Sequence, residues 1–229
     1  MGVHGWGSRG RGDDVAGAGE AGLDAKKKTV AAAERDEEGR AEWRERVAGV
    51  DPSRLRFVDE AGSNLGMART RARSPRGERA YASAPRNRGP NTTIIASIAA
   101  TGELDAAAMT IERATDSLVF EAYTEWVLCP TLKSGEIVVM DNLGAHKRPR
   151  IHELIEARGC DVWYLPAYSP DLNPIEEAFS KLKTHLRRAA ARTQEALLTA
   201  IAEALRSITA SDAAGYFTHC GYPTSPQPL

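Results

Sequence analysis

The sequence predicts an α/β protein in which a mixed β-sheet is flanked by helices. Two observations predict it. Short apolar runs rich in β-branched residues recur at Leu55–Glu60, Thr92–Gly102, Glu136–Asn142 and Asp161–Pro166, as buried strands require. Interleaved with them are segments whose apolar side chains recur at helical spacing. Strand and helix alternate along the second half of the chain, which is the pattern of crossover units in a partly parallel sheet.

Taken in order, residues 1–25 are rich in Gly, Ala and charge without apolar periodicity, and are expected to be disordered. The RGD tripeptide at Arg11–Asp13 falls there and reads as a chance match. Residues 26–49 are polar with few anchors, with one helix expected around Trp43 and Val47 before Asp51-Pro52 breaks the chain. LRFVDE (Leu55–Glu60) reads as a strand ending in acid. The Arg-rich stretch to Pro90 mixes turns with a strand near Tyr81, and TTIIASIAATG is a continuous buried strand. Residues 117–129 carry Leu118, Tyr123, Trp126 and Val127 at helical spacing. EIVVMDN is a short buried strand, residues 150–158 a helix stopped by Gly159, and DVWYLP another strand. The Pro-rich loop YSPDLNP then leads into a long helix. The expected divisions are a segment 1–50, a globular domain 51–210 and a C-terminal tail 211–229.

The 229 residues suffice for a real hydrophobic core, and 42% apolar with 27% charged residues is an ordinary globular balance. No apolar run approaches the length of a transmembrane helix, and the N-terminus lacks the apolar core of a secretory signal. Cys129, Cys160 and Cys220 are too few and too scattered for a disulfide framework or zinc ribbon, so a cytoplasmic location without membrane partners is expected. The net charge of −1 hides a segregation. Residues 54–90 carry nine arginines against three acids, residues 91–180 six basic against fourteen acidic side chains, and residues 181–206 six basic against two acidic. Such patches leave room for a polyanionic partner.

The chemistry concentrates on three carboxylates. A parallel crossover places the Glu136–Met140 strand beside Leu55–Val58. Asp59 and Asp141 then emerge together at the C-terminal ends of neighbouring strands, where open α/β sheets keep their ligand sites. One such Asp is an ordinary turn former or helix cap. Two side by side are costly unless a cation is shared. The third candidate, Glu176, opens the long helix. Asn173 suits its N-cap and Pro174 its first position, so Glu176 also reads as a capping-box acid. Ile175, Phe179, Leu182 and Leu186 form its core stripe, with Glu176 at the edge and Glu177 nearly opposite, toward solvent. Three converging carboxylates suit Mg2+ or Mn2+ rather than zinc. Two such ions about 3.5–4 Å apart can activate a water and stabilise the leaving oxygen of a phosphodiester.

The strings FVDEAG, VVMDNLGAHK and LPAYSPDLNPIEEAFSKLK resemble the catalytic core of mariner-like bacterial insertion-sequence transposases of the DDE superfamily. The 34 residues between Asp141 and Glu176 are the spacing characteristic of that group. The resemblance runs from about Lys27 through YFTHCGY near the C-terminus. It implies a ribonuclease-H-like fold, with Asp59, Asp141 and Glu176 as catalytic residues holding two Mg2+ or Mn2+ ions. It also implies hydrolysis at transposon ends and joining of the freed 3′-hydroxyl to target DNA, usually at a TA dinucleotide. Relatives carry helix-turn-helix modules ahead of this domain, whereas the segment before Asp59 lacks such helices. The expectation is therefore a truncated copy or one frame of a split gene, acting on DNA at the nucleoid as a homodimer or with a partner polypeptide that carries the recognition module. A catalytically idle remnant that only binds DNA or a partner transposase is the alternative. A ribonuclease-H-type nuclease on RNA–DNA hybrids shares the chemistry but not the motif string.

Expected DNA contacts are Arg69, Arg71, Arg73, Arg76 and Arg79 beside the first carboxylate, with Lys181, Lys183 and Arg187 on the helix of Glu176. His146 and Lys147 read either as contacts to the scissile phosphate or to the outer shell of the metal site, or as loop residues that begin the next helix. The Asn142 amide is placed to orient Asp141. HELIE (His152–Glu156) lacks the second His of a zinc-protease motif. Trp43, Trp126 and Trp163 read as core. The family's usual aromatic and Lys ahead of the second long strand are replaced by Arg88-Gly89-Pro90-Asn91.

Overall fold

Five strands form one sheet in the order β3-β2-β1-β4-β5 in the computed structural model, which describes residues 33–102, 104 and 107–223. The strands are β1 (Leu55–Ser63), β2 (Thr92–Ala99), β3 (Ala108–Ile111), β4 (Ile137–Met140) and β5 (Asp161–Tyr164). β1 pairs antiparallel with β2, and β2 with β3. β1–β4 and β4–β5 are parallel, so the expected crossover neighbours do lie side by side. β3 carries no strong sequence signal, and β1 runs three residues past the acid expected to end it. Residues 64–91 contain no strand, and Tyr81 is exposed in that stretch. The expectation for residues 1–25 lies outside the described residues.

The side-chain period of two assigns each strand residue to one of two helical layers. Leu55, Phe57 and Ala61, with Ile94, Ala96, Ile98, Ile137 and Val139, face one layer. That layer holds α1 (Glu37–Ala48), α4 (Pro174–Ala189), α5 (Gln194–Arg206) and α6 (Ala210–His219). Val58, Ile95, Val138 and Met140 face α2 (Ser117–Tyr123) and α3 (Pro149–Glu156). The predicted stripe of α4 is wholly buried, Ile175, Phe179, Leu182 and Leu186 all packing on the sheet. Truncating Phe179 there costs about 3–5 kcal/mol. α1 and α6 both contribute to this core through Trp43 and Phe217, so the folded unit is wider than the 51–210 expected and residues 211–222 are no tail.

Two polar devices hold the frame. Arg56 on β1 is buried and donates through Nε and Nη2 to Glu136, just ahead of β4, at 3.2 and 3.0 Å. Arg40 on α1, also buried, grips both oxygens of Asp171 at 2.9 and 2.7 Å. Beside it, Trp43 Nε1 donates to the Tyr222 hydroxyl, which donates to the Leu172 carbonyl. α1 and Tyr222 therefore clamp the loop that precedes α4. Trp163 packs against the core edge, but Trp126 is 74% exposed. α2 passes into a π-helical turn, Thr124–Leu128, which rotates Trp126 away from the register that an unbroken α-helix would give it.

Candidate active site

Asp59 and Asp141 face the same layer. Phe57 pairs with Val139 across the parallel ladder, and continuing that register two residues brings the two acids level. Asp59 has the parity of Phe57 and Ala61, and Asp141, one residue past β4, that of Ile137 and Val139, which places both on the side of α4. The N-terminus of α4 brings Glu176 to the same place, and all three carboxylates line one cavity of about 410 Å³. Asn142, Leu143, Tyr168 and Asn173 line it too. The three acids predicted from the sequence are thus brought together.

Asn173 is not used as predicted. It occupies the N-cap position of α4 but makes no side-chain capping bond. Its amide Nδ2 donates instead to Asp59 Oδ2 at 2.9 Å. The other oxygen of Asp59 accepts from the Glu60 backbone N–H at 2.7 Å. Glu176 makes no capping bond either, and among the described residues its carboxylate has no hydrogen-bond or ion-pair partner. Glu177, expected in solvent, is half-buried and pairs with His219 of α6.

Burial lifts the Asp59 carboxyl from its ordinary 3.8 to about 7. The neighbouring charges of Glu176, Asp141 and Glu60 add to this, while the Glu60 N–H pulls the other way. The cavity is therefore lined by converging carboxylate oxygens, which is the environment a hard divalent cation relieves. Among the described residues no three such side chains are already gathered tightly enough to enclose an ion. Asp141, Asp59 and the unengaged Glu176 carboxylate are the donors that fit one.

His146 is only 1% exposed and so is not a DNA contact. Its ring stacks on Phe120 at 4.1 Å between centroids. Nε2 lies 3.3 Å from Glu60 Oε1, and Nδ1 lies 2.7 Å from Asp141 Oδ1 but off the hydrogen-bond line. Burial works against charge on this imidazole, but the contacts with Asp141 and Glu60 outweigh it and hold its pKa at about 9. His146 is thus a cation between two carboxylates, steadying Asp141 from behind. Glu60, facing the α2 side, was missed in the sequence, where only its place beside Asp59 marked it. Asn142 lines the cavity, but the donor to Asp141 Oδ1 is the Leu143 N–H at 3.1 Å.

Of the expected basic contacts, Arg69, Arg71, Arg73, Arg76 and Arg79 are exposed on the long β1–β2 connection, and Lys147 is exposed beside the site. Lys183 and Arg187 are partly exposed on α4. Lys181 is not free for DNA: its Nζ is tied to the Ser207 carbonyl at 2.9 Å and to Asp212 at 2.7 Å. The three cysteines are free thiols buried in the fold. No helix among the described residues is long and apolar enough to cross a membrane.

No protein of curated function matches the sequence. Among solved structures the chain resembles a Mos1 transposase paired-end complex with left transposon end, at TM-score 0.68 and 16% identity over 89% of this chain and 65% of that one. It resembles the Mos1 mariner paired-end complex with Mn at 0.67 and 17%, over 88% and 64%. It also resembles the Mos1 transposase catalytic domain with raltegravir and Mg at 0.58 and 13%, over 80% and 84%. The chain thus spans just under two thirds of the paired-end Mos1 chains, and what it shares with all three is the ribonuclease-H-like fold of a mixed sheet between helical layers. The model of the DDE superfamily endonucleases matches residues 54–198, the stretch from β1 to α5 that contains all three acids of the cavity. With those acids converging on one face of that fold, the chain belongs to the DDE superfamily endonucleases.

Proposed function

We propose that this chain is the catalytic domain of a transposase, which cuts DNA at the ends of an insertion element and joins the freed 3′-hydroxyl to target DNA. The observation that carries the reading is the convergence of Asp59, Asp141 and Glu176 on one cavity within the family-matched segment. Mg2+ or Mn2+, as two ions held by these carboxylates, would activate the attacking water or hydroxyl and stabilise the leaving oxygen. The protein's own part is positional. Asn173 and the Glu60 N–H fix Asp59, His146 and the Leu143 N–H fix Asp141, and the first turn of α4 presents Glu176.

Exposed arginines of the β1–β2 connection, with Lys147, Lys183 and Arg187, are the proposed phosphate contacts. The partners are transposon-end and target DNA, with a second copy or a polypeptide carrying the helix-turn-helix module, at the nucleoid. A cleavage assay on element-end DNA with Mg2+ or Mn2+ tests this reading. The wild type is expected to cut and Asp141→Ala to be inert. If both are equally inert on every end tested, the idle-remnant reading takes its place.

A further inference from the structure

Two large apolar side chains stand in solvent at the mouth of the acid-lined cavity. Tyr168 is 61% exposed and Leu143 is 56% exposed, and both line it. Neither is loose. Leu143 is held through its backbone N–H by Asp141 Oδ1. Tyr168 has φ 53°, the left-handed region that a residue with a bulky side chain enters at a cost. Only Ala190 shares this feature among the described non-glycine residues.

The strained Tyr168 is fixed by its neighbours toward α4. Ser169 and Leu172 are buried, Arg40 grips Asp171, Tyr222 bonds the Leu172 carbonyl, and Asn173 reaches Asp59. The loop is thus pinned from beneath, while its aromatic ring is turned outward. An aromatic ring held out of the core in a strained backbone calls for a partner that covers it.

We infer that Tyr168 and Leu143 form a binding site for a nucleobase, that of a nucleotide flanking the phosphodiester held at Asp59, Asp141 and Glu176. This rests on the proposed phosphodiester chemistry of that cavity. A phosphodiester carries a nucleoside on either side, and the base is the only flat apolar surface it brings to the cavity rim. Base–aromatic stacking tolerates any sequence, because every base has a π-face. In a duplex the base must first leave its pair, so the site favours frayed or distorted ends over intact helix.

The test uses a duplex with a frayed end, carrying 2-aminopurine at each terminal position in turn, bound in Ca2+. One position is expected to be quenched by wild type and by Tyr168→Phe, but not by Tyr168→Ala. Tyr168→Ala is expected to bind this DNA about tenfold more weakly, about 1.4 kcal/mol. An abasic nucleotide at the quenched position should weaken wild type by the same factor and leave Tyr168→Ala unchanged. Tyr168→Gly controls for folding: it relieves the backbone, so it should melt no lower than wild type and still lack the quenching. Absence of a quenched position, or quenching that survives in Tyr168→Ala, overturns the inference. Glu176→Gln separates it from the catalytic reading, since that variant should stack the base and fail to cut. A wild type that cuts without quenching sinks the base site alone, and one that quenches without cutting sinks the chemistry alone.

Discussion

Asn173 reaches across 114 residues of sequence to donate its amide to Asp59 at 2.9 Å, and so joins the helix that brings Glu176 to the strand that brings the first acid. The α4 N-terminus and β1 therefore move as one piece at the carboxylate site.

Asn173→Ala removes that link without removing a carboxylate. We expect divalent-metal affinity, read by titration with Mn2+, to fall about tenfold or more, the usual effect of losing a group that orients a metal ligand. The melting temperature of the metal-free protein should change little, because the lost bond served an already strained carboxyl. Unchanged Mn2+ affinity would show that Asp59 is held without Asn173.

Asp59→Asn should stabilise the metal-free protein at neutral pH. The folded carboxyl titrates at about 7 and the unfolded one at 3.8, so the folded state holds a proton that the unfolded state has lost. Wild-type stability therefore falls as pH rises from about 4 to about 7. The Asn variant lacks this loss, and Asn173, whose Oδ1 has no partner among the described residues, can turn its amide to meet the new one. The variant should melt roughly 3–8 °C above wild type at pH 8 and level with it near pH 4. Saturating Mg2+ should narrow the gap by stabilising only the wild type. A gap independent of pH would refute the assignment of charge to Asp59.

The Arg40–Asp171 pair is asymmetric, since Arg40 is buried and Asp171 is half in solvent. Removing the acid leaves a buried guanidinium with poor compensation, whereas removing the base leaves a carboxylate that water can reach. Urea unfolding should thus show Asp171→Ala losing about 3 kcal/mol and Arg40→Met losing about 1 kcal/mol. The reverse ranking would sink this account.

The arginines of the β1–β2 connection should govern nonspecific DNA binding. Replacing Arg69, Arg71, Arg73, Arg76 and Arg79 by Ala should leave the melting temperature unchanged. It should also flatten the slope of log affinity against log salt by about one unit for each arginine that meets a phosphate. A slope unaffected by all five replacements would move the DNA path elsewhere.

The parts of the site legible in the sequence were those set by backbone periodicity. Two acids after apolar runs had to lie level on neighbouring strands, though β1 runs on past the first, and the α4 stripe had to bring Glu176 to the edge of the sheet. What stayed hidden depended on tertiary partners. Asn173 followed by Pro174 has every local mark of a helix cap, and only the folded sheet offers it Asp59 instead. Between phosphate contact and outer-shell residue the sequence does not choose for His146, and Lys181 looks free for DNA, until the fold supplies Glu60 and Asp141 for the one and Asp212 for the other. α1 fell outside the expected domain bounds, although Trp43 reads as core, because its other buried residue is an arginine whose charge is met by a distant loop.

The Arg56–Glu136 pair lies at the start of the same two strands that carry Asp59 at the middle of β1 and deliver Asp141 just past β4. A shift of β1 by one residue would turn Asp59 to the opposite face, and would also carry Arg56 away from Glu136 into the apolar α4 layer. Misaligned sheets that keep much of their hydrophobic burial are thereby penalised at their foundation, where a guanidinium would be left among hydrocarbon. The buried ion pair thus favours the one strand alignment that sets Asp59 beside Asp141, and the catalytic geometry depends on a contact at the start of the strands.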